Sequence, residues 1–421
     1  MRKTHRSVIS LQAGRWFKLI GGASYQHLPA IRNLALAFTL AGADCIDVAA
    51  DPAVVKAVKE SFRIVSRLPQ LSELGAELAS QTCLELPLLM ISLSDGEDPH
   101  FRKARFDPQQ CPADCPRPCE AICPAAAIAF TPQFNGVIEE RCYGCGRCMP
   151  ICPVQQIDEV TRATSVESIA ASLLAQVDAI EIHTQVGRYD QFRALWSALR
   201  PYVDKLSLIS ISCPNHAEVT AYLWQLYNLI QPLKIPLIWQ TDGRPMSGDM
   251  GHGTTRVTLR YAEKVLREGP PGYVQLAGGT NDHTAAKLGP LKAGSAAWPS
   301  LSATEFAPIA PSRPQFGGVA FGSFARRLLS AVWAEEATAP LFASTTVPVD
   351  ERPSFYDPSF LKHSILQLQE AVQLAQGLVA PIKGETYVGG PLSLPTGRDR
   401  RFPMAAPAEL PYVHHQSSNF S

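Results

Sequence analysis

Residues 16–51, WFKLIGGASYQHLPAIRNLALAFTLAGADCIDVAAD, contain one complete strand–helix–strand unit. The apolar run Trp16–Ile20 predicts a strand, and apolar residues that recur at helical spacing predict a helix over Leu28–Leu40. A second short apolar run, Cys45–Ala49, predicts the next strand. Because a helix of this length returns the chain to the same end of a sheet, the two strands are expected to be parallel, which is typical of the α/β class.

The same alternation of apolar runs and helical patterns continues along most of the chain. Six further strands are predicted at Leu86–Leu93, Ala179–His183, Leu206–Ser212, Pro236–Gln240, Tyr273–Leu276 and Gly318–Phe321. Helical patterns begin at Pro52 and cover Ser165–Gln176, Tyr189–Tyr202, Ala217–Ile230, Thr254–Glu268 and Ala325–Glu336. Eight strands that alternate with helices predict a (β/α)8 barrel of the TIM type, and an open doubly wound α/β sheet is the alternative.

This pattern divides the chain into four segments. Residues 1–94 supply barrel strands one to three, and residues 161–338 supply strands four to eight. Residues 95–160 are predicted to form a separate insert between them. Within the second barrel segment, the Pro/Ala/Ser-rich residues 289–315 predict a loop before the eighth strand. Residues 339–421 form a tail with one predicted helix at Phe360–Val379 and a loop-rich end from Pro381 to Ser421.

The insert contains eight of the eleven cysteines, arranged in two runs. The second run is Cys142-x2-Cys145-x2-Cys148-x3-Cys152-Pro153, the spacing of a bacterial-type [4Fe–4S] binding sequence. The first run is Cys111-x3-Cys115-x3-Cys119-x3-Cys123-Pro124, with one extra residue in two of its gaps. Zinc sites usually separate their cysteine pairs by about a dozen residues or more, so the spacing favours iron–sulfur clusters.

In two-cluster ferredoxins, the fourth cysteine of each run binds the other cluster. The predicted pairing is therefore crossed, with Cys111, Cys115, Cys119 and Cys152 on one cluster and Cys142, Cys145, Cys148 and Cys123 on the other. The wider gaps of the first run leave open a three-iron form, [3Fe–4S], at the first cluster. Asn135-Gly136 predicts the turn of a hairpin between the two runs. The remaining cysteines, Cys45, Cys83 and Cys213, are expected to be buried and to bind no iron.

Composition restricts the functions that the chain can have. With 38 basic and 38 acidic residues the formal net charge is zero, so the sequence does not favour binding to nucleic acid. No run approaches the roughly 18 apolar residues that a membrane span requires. The N-terminal residues 1–16 are basic but lack the apolar core of a secretory signal. We therefore expect a cytoplasmic protein without a membrane span.

Several polar residues stand at or near the carboxyl ends of predicted strands, where barrel enzymes place their chemistry. They are Lys18, Asp47, Glu181, His183, Gln240 and Asp242. Glu181 and His183 alternate on one strand and are expected to face the same side, where they could supply an acid–base pair. A buried ion pair or a histidine satisfied within the core is the alternative interpretation.

Two glycine-rich stretches follow the seventh and eighth predicted strands, the position of the phosphate site in many barrels. Backbone N–H groups of Gly278, Gly279, Gly322 and Ser323 could bind one phosphate, with Arg326 as the counter-charge. Such a site would take FMN or a phosphorylated substrate. The alternative is that small residues serve only the tight turns between strands and helices.

The two cysteine runs, the stretch 16–51 and the C-terminal tail resemble those of the light-dependent period (LdpA) family of cyanobacteria. The resemblance runs along nearly the whole chain. It implies an iron–sulfur protein on the input side of the circadian clock, which adjusts the period to light by sensing the cellular redox state. Clock input proteins or electron donors are the partners that it implies. It assigns a role to the eight clustered cysteines and to no barrel residue.

Two functions are therefore carried forward. In the first, the chain is a redox sensor whose clusters change charge with each electron, and a quinone or another oxidant could also change their content. In the second, it is an iron–sulfur oxidoreductase that passes electrons to a flavin or small substrate in the barrel mouth. A sensor needs no eight-stranded scaffold, which favours the second function, whereas the family resemblance favours the first. The sequence leaves open whether the barrel is an enzyme.

Overall fold

The computed structural model describes residues 6–71, 85–132, 134–161, 166, 173–244, 253–294, 311–330, 332–333, 358–385 and 392. Its strands are β1 (Trp16–Gly22), β2 (Cys45–Ala49), β3 (Leu88–Ser94), β4 (Arg102–Arg105), β5 (Ile128–Phe130), β6 (Asn135–Val137), β7 (Asp158–Thr161), β8 (Ala179–His183), β9 (Leu208–Pro214), β10 (Leu237–Asp242), β11 (Gly272–Ala277) and β12 (Pro314–Phe321). Its α-helices are α1 (Arg6–Gln12), α2 (Leu28–Leu40), α3 (Pro52–Leu71), α4 (Pro118–Ile122), α5 (Cys148–Ile151), α6 (Tyr189–Val203), α7 (Val219–Ile230), α8 (Thr254–Glu268), α9 (Gly289–Gly294), α10 (Ser323–Ser330) and α11 (Pro358–Lys383).

Eight parallel strands close into a barrel in the order β1-β12-β11-β10-β9-β8-β3-β2. The closing pair is β1 with β12, in a register that places Trp16 beside Gly318. The predicted (β/α)8 barrel is thus confirmed, and the open doubly wound sheet is excluded because its edges would remain unpaired. Strands β4 to β7 lie between barrel strands β3 and β8, so the cysteine-rich segment follows the third barrel strand.

The helices agree with the sequence pattern wherever one face packs on the barrel. Asp51 caps α3 as expected, since its Oδ1 accepts from the backbone N–H of Ala53 at 2.7 Å. The helix predicted at Ser165–Gln176 lies largely outside the described residues, as do the end of the helix predicted at Ala325–Glu336 and most of the tail after Glu385. Among the described helices, none is long and apolar enough to cross a membrane.

Three helical segments differ from the prediction. Helix α1 was not predicted because seven residues are too short to show a period; its Leu11 is buried against the lower end of the barrel. Helix α9 lies inside the predicted loop 289–315. Helix α11 continues to Lys383, past the predicted end at Val379 and through Pro381. Buried Val379 and Ile382 hold this last turn against the barrel core, which outweighs the hydrogen bond that proline lacks.

The first and last described helices, α1 and α11, meet at one buried ion pair. Lys383 of α11 pairs with Asp44, the residue before β2, and also donates to Ser10 Oγ of α1 at 3.1 Å. Asp44 Oδ2 accepts from the backbone N–H of Phe17 in β1 at 2.7 Å. Helices α1 and α11 are therefore tied to the first two strands of the barrel.

The insert has its own small framework. An antiparallel ribbon of β4 and β7 closes its base, pairing Arg102 with Thr161. The hairpin predicted between the cysteine runs is present as β5 and β6. Its turn was misplaced, however, because Asn135 pairs with Phe130 within the hairpin and the chain reverses between Thr131 and Phe134. The amide N–H of Thr131 donates to the carbonyl of Phe134 at 2.7 Å, which closes a four-residue turn without Asn-Gly.

Candidate functional site

Four cysteines line one cavity in the insert: Cys123 at the end of α4 and Cys142, Cys145 and Cys148 from the second run. Three of them come from one tight loop, and the fourth comes from the other cysteine run. The wall also includes three basic residues, Arg102, Lys103 and Arg147, and one acidic residue, Glu159, which pairs with Arg102, so basic residues are in excess. We call this cavity site I. Positive side chains in its wall favour a group that carries negative charge.

The loop of site I requires glycine at one position in particular. Gly144 has φ +70°, and a Cβ there would lie 2.1 Å from the carbonyl oxygen of Arg102. At Gly146 the φ is +73°, but a Cβ would meet only the flexible end of Met149, at 3.3 Å. Gly144 therefore lets the cysteine loop pack directly on the chain between Pro99 and Arg102, whereas Gly146 serves the turn alone.

Backbone N–H groups point at the sulfurs of site I. The N–H of Ala104, on β4, donates to Cys142 Sγ at 3.3 Å, and the N–H of Ala127 donates to Cys123 Sγ at 3.2 Å. Such bonds stabilise a thiolate and, in iron–sulfur proteins, help to set the reduction potential.

Cys111, Cys115, Cys119 and Cys152 line a second cavity, which we call site II. Here the first run supplies three residues and the second run supplies the last. The wall is more apolar than that of site I, with Phe106, Phe130 and Ile157. The side-chain amide of Gln156 donates to Cys111 Sγ at 2.9 Å.

The electrostatics separate the eight thiols into the same two groups. Burial and then the charges of Cys145, Cys142 and Cys123 together raise the pKa of Cys148 to about 12. At Cys119, burial raises the pKa and the charges of Cys152 and Cys111 add to it. Four thiolates so close together repel one another unless a cation lies between them. The donor set, free of disulfides among the described cysteines, thus fits an iron–sulfur cluster in each cavity.

The two other described cysteines lie outside these cavities. Cys45 and Cys213 are buried, at 0% and 1% exposure, in the barrel. Cys83 is outside the described residues.

The barrel interior contains a second candidate site. Its lower layer is apolar and includes Trp16, Met90 and Ile238, but the layers above are polar. Lys18, fully buried, donates to Glu181 and lies 3.3 Å (Nζ–Oδ2) from Asp47. Burial lowers the pKa of Lys18, but the charges of Glu181 and Asp47 outweigh burial and raise it, so Lys18 stays protonated.

Hydrogen bonds extend this network across the barrel. Ser210 Oγ and Gln240 Nε2 each donate to Glu181, both at 2.8 Å. Gln275 Nε2 donates to Gln240 Oε1 at 2.5 Å, and Trp16 Nε1 donates to Gln275 Oε1 at 2.5 Å. Burial would raise the pKa of Glu181, yet Lys18 and His183 outweigh it and lower it, so Glu181 is a carboxylate.

Glu181 and His183 both face the barrel interior, and His183 Nε2 lies 3.2 Å from Glu181 Oε1. Burial lowers the pKa of His183, but Glu181 and Asp98 outweigh it and raise the value to about 9. Asp242 lies at the top of β10 and accepts from Ser212 Oγ; burial raises its pKa. All six sequence candidates therefore lie inside one barrel: Lys18, Asp47, Glu181, His183, Gln240 and Asp242.

The residues of the predicted phosphate site are held by other contacts. Gly278 packs on the backbone of Gly243 and Arg244, and the carbonyl of Gly279 accepts from Thr254 Oγ1 at 2.8 Å. Gly322 and Ser323 begin α10, where Ser323 Oγ accepts from Arg326 Nη2 at 3.1 Å. Through these contacts, neighbouring strand–helix units of the barrel pack closely against each other.

Arg326 connects the barrel to site I. Its Nη1 donates to the carbonyls of Ile20, at 2.9 Å, and Gly21, at 3.3 Å. Its guanidinium carbon lies 4.4 Å from the ring centroid of Tyr143, which follows Cys142. These contacts and the bond to Ser323 occupy three of the N–H donors of Arg326, and FMN binding by Arg326 stays a prediction.

Sequence reasoning missed two residues of the barrel mouth, Asp98 and His100. Both belong to a short 3-10 turn, Pro99–Phe101, which Asp98 caps by accepting from the backbone N–H of His100 at 2.8 Å. The sequence Asp98-Pro99 is a signal for this turn. No local pattern could show that the turn lies over His183.

The comparisons with known proteins agree with this layout. The family model described as the LdpA Fe-S cluster-binding domain matches residues 111–163, and the model of the Light dependent period A C-terminal domain matches residues 173–381. The protein named Light dependent period A from Synechococcus elongatus is 47% identical over 383 residues, which cover 90% of this chain and 94% of that protein. The insert is an iron–sulfur cluster-binding domain, and the chain belongs to the light dependent period A (LdpA) family.

Proposed function

We propose that this chain is a cytoplasmic redox sensor that holds two [4Fe–4S] clusters and adjusts the period of a circadian clock to light. The observation that carries the iron–sulfur part is the crossed lining of the two cavities. Each cavity takes three cysteines from one run and the fourth from the other run. This is the ligand arrangement of two-cluster ferredoxins.

In this proposal Cys142, Cys145, Cys148 and Cys123 hold one cluster in site I. Cys111, Cys115, Cys119 and Cys152 hold the other in site II, either as [4Fe–4S] or, given the wider cysteine spacing, as [3Fe–4S]. When bound, each cluster supplies reversible one-electron redox chemistry. Arg102, Lys103 and Arg147 offset the negative charge of the thiolates at site I.

The response to redox state is expected to pass through Arg326 and Tyr143. An added electron makes site I more negative, and the guanidinium of Arg326 is held next to it by Tyr143 and the carbonyls of β1. A change of charge there alters the attraction between the insert and the barrel. Partners that detect the insert or its loops would then distinguish the two redox states.

The clock part of the proposal comes from the relative. The name of the Synechococcus elongatus protein describes a light-dependent period, and the similarity to this chain extends over nearly all of both proteins. Clock input proteins and an electron donor are the partners that we propose on this basis. A quinone is a further candidate oxidant.

The iron–sulfur proposal is tested by measuring iron, acid-labile sulfide and flavin in protein purified without oxygen. We expect about eight irons and eight sulfides per chain, or about seven irons with a three-iron centre in site II. Cys145→Ala should remove one cluster, whereas Cys213→Ala, at a buried cysteine outside both cavities, should retain all the iron. Equal iron in these two variants would contradict the ligand set.

The clock proposal needs a measurement in cells. Cyanobacterial cells that carry either the wild-type gene or the Cys145→Ala variant would be followed by a bioluminescent clock reporter at several light intensities. We expect the period to change with light in the wild type and to lose this dependence in the variant. A light response that persists in the variant would separate clock function from the cluster in site I.

A second function, an iron–sulfur oxidoreductase, is favoured by one observation. The upper layers of the barrel interior contain Lys18, Glu181, His183 and Asp242 instead of the apolar side chains that usually fill barrels. Polar buried groups of this kind are typical of active sites. Stoichiometric FMN in the purified protein, lost in Arg326→Glu, would support this function and its predicted phosphate site.

A further inference from the structure

The mouth of the barrel brings together two imidazoles and one carboxylate that the cluster proposal does not use. Asp98, His100 and His183 each place one ligand atom within 4.8 Å of the other two. Asp98 Oδ1 lies 2.6 Å from His100 Nδ1 and 3.9 Å from His183 Nδ1. The two imidazole rings, 4.9 Å apart at their centroids, thus converge on one carboxylate oxygen.

Two of the three residues are shielded from water, and His100 is partly exposed. Asp98 is 6% exposed and His183 is 5% exposed. The ring of Phe101 packs edge-on against His183, with centroids 5.3 Å apart. A hydrogen-bonded pair needs one imidazole and one carboxylate. This cluster contains a second imidazole, so it has a further nitrogen that could bind a metal ion.

The surroundings of His183 are those of a metal-binding histidine. Glu181 Oε1 lies 3.2 Å from His183 Nε2 and accepts its proton, while His183 Nδ1 faces Asp98 Oδ1. A divalent ion between Nδ1 and Asp98 would replace the Nδ1 proton, so Nε2 would keep its hydrogen bond to Glu181. A carboxylate in this position fixes the tautomer of a ligating histidine. Glu181 is itself fixed by hydrogen bonds from Ser210 and Gln240, so the orientation of His183 is supported on both sides.

We propose that Asp98, His100 and His183 form a binding site for a divalent transition-metal ion, Zn²⁺ or Fe²⁺, at the mouth of the barrel. Two histidines and one carboxylate are the protein ligands of many catalytic zinc sites and of non-haem iron(II) sites. The site shares no ligand with the two cysteine cavities. Its place at the carboxyl ends of the strands is where barrel enzymes bind their substrates.

Metal analysis of the anaerobically purified protein is the first test. We expect one zinc per chain, or one iron beyond the number that the clusters hold. EPR first shows whether site II contains [4Fe–4S], in which iron equals sulfide, or [3Fe–4S], which has one iron fewer than sulfide. After treatment with a mild chelator that leaves the cluster absorbance unchanged, titration with Zn²⁺ should show one site. No uptake of Zn²⁺ by protein with intact clusters would overturn the proposal.

Variants then locate the site. His100→Gln, at a partly exposed residue, should weaken Zn²⁺ binding by at least 10- to 100-fold, the range that loss of even a supporting contact produces. The matched control His216→Gln, at an exposed histidine, should bind like the wild type. Circular dichroism and cluster absorbance show whether each variant folds, and Asp98→Asn provides a second variant. Unchanged affinity in folded His100→Gln would overturn the assignment.

Zinc X-ray absorption of the wild-type protein distinguishes this site from the cysteine cavities. The proposal predicts a first shell of nitrogen and oxygen at about 2.0–2.2 Å, including imidazole scattering. A shell dominated by sulfur at about 2.3 Å would mean that zinc has entered site I or site II, and would contradict the proposal. Because the clusters are counted separately, failure of this site leaves the cluster proposal unaffected, and the converse also holds.

Discussion

The guanidinium of Arg326 lies over the ring of Tyr143, 4.4 Å from its centroid, and this contact joins the barrel to the cysteine loop of site I. Arg326 belongs to α10, which follows the eighth barrel strand, whereas Tyr143 separates two residues of the loop. Tyr143 also meets Tyr25 edge to face, with centroids 6.0 Å apart. The loop after the first barrel strand and the helix after the eighth therefore both hold the iron–sulfur domain against the barrel.

Arg326→Leu is expected to weaken this junction. The variant loses the cation–π contact and the hydrogen bonds to the carbonyls of Ile20 and Gly21, which should lower stability by about 1–2 kcal/mol. Thermal unfolding of the anaerobic protein measures this loss, and the neighbouring Arg327→Leu is the matched control. The midpoint potential of one cluster should also become more negative, because a nearby cation is removed. Equal thermal stability of the two variants would contradict the role of Arg326.

Gly144→Ala should disrupt site I far more than Gly146→Ala. Both residues have a positive φ, which costs an alanine about 1–2 kcal/mol. Only at Gly144 would the new methyl group overlap a backbone carbonyl, that of Arg102, so a further loss of several kcal/mol follows. Iron content and thermal unfolding of the two variants provide the comparison. If Gly146→Ala loses more iron than Gly144→Ala, the packing of the loop on Arg102 is not its main constraint.

Asp47 is expected to titrate in an unusual range. Burial raises its pKa to about 6, opposed by Lys18 and assisted by Glu181. Since an unfolded aspartate has a pKa of about 3.9, the folded protein takes up a proton here, and the stability due to Asp47 falls as the pH rises from about 4 to about 6. Infrared difference spectra between pH 5 and 7 should show the carbonyl band of a protonated carboxyl that Asp47→Asn lacks. In Lys18→Met the midpoint of this band should rise, because the opposing cation is gone; an unchanged or lower midpoint would show that Lys18 does not lower the pKa of Asp47.

The ion pair of Asp44 and Lys383 should stabilise the junction of α11 with the first two barrel strands. Removing one partner leaves a buried charge, so Asp44→Asn and Lys383→Met are each expected to cost about 3–5 kcal/mol. The double variant should recover part of this loss because neither charge remains. A double-mutant cycle of thermal unfolding measures the coupling, and strictly additive effects would show that the two residues act independently.

The sequence predicts those parts of the fold whose pattern lies within a short stretch of residues. Apolar runs flanked by glycine or proline locate the barrel strands because each run must be buried on both sides, as in Cys45–Ala49. The ribbon of β4 and β7 was not predicted, since its sequences, RKAR and DEVT, are mostly charged and half exposed. The turn after Phe130 was misplaced because Asn-Gly, a strong turn signal, is used inside a strand here.

The two candidate sites also differ in how much of each can be predicted from the sequence alone. The cysteine spacing carries the crossed arrangement within one short segment, so sequence alone could propose both ligand sets. The cluster of Asp98, His100 and His183 joins a loop after β3 to the top of β8, and only closure of the barrel brings them together. Likewise, the sequence predicts Arg326 as the counter-charge of a phosphate site. In the structure Arg326 instead contacts Ile20 in β1, Ser323 in α10 and Tyr143 in the insert.

The central claim, crossed ligation of two clusters, is tested most directly by iron analysis of paired variants. Cys123→Ala combined with Cys142→Ala removes two ligands of one proposed cluster, so the double variant should lose no more iron than either single variant and retain about four irons. Cys123→Ala combined with Cys115→Ala removes one ligand from each cluster and should lose nearly all the iron. If instead Cys123→Ala and Cys115→Ala prove non-additive, and Cys123→Ala and Cys142→Ala additive, each run holds its own cluster and the crossed arrangement is wrong.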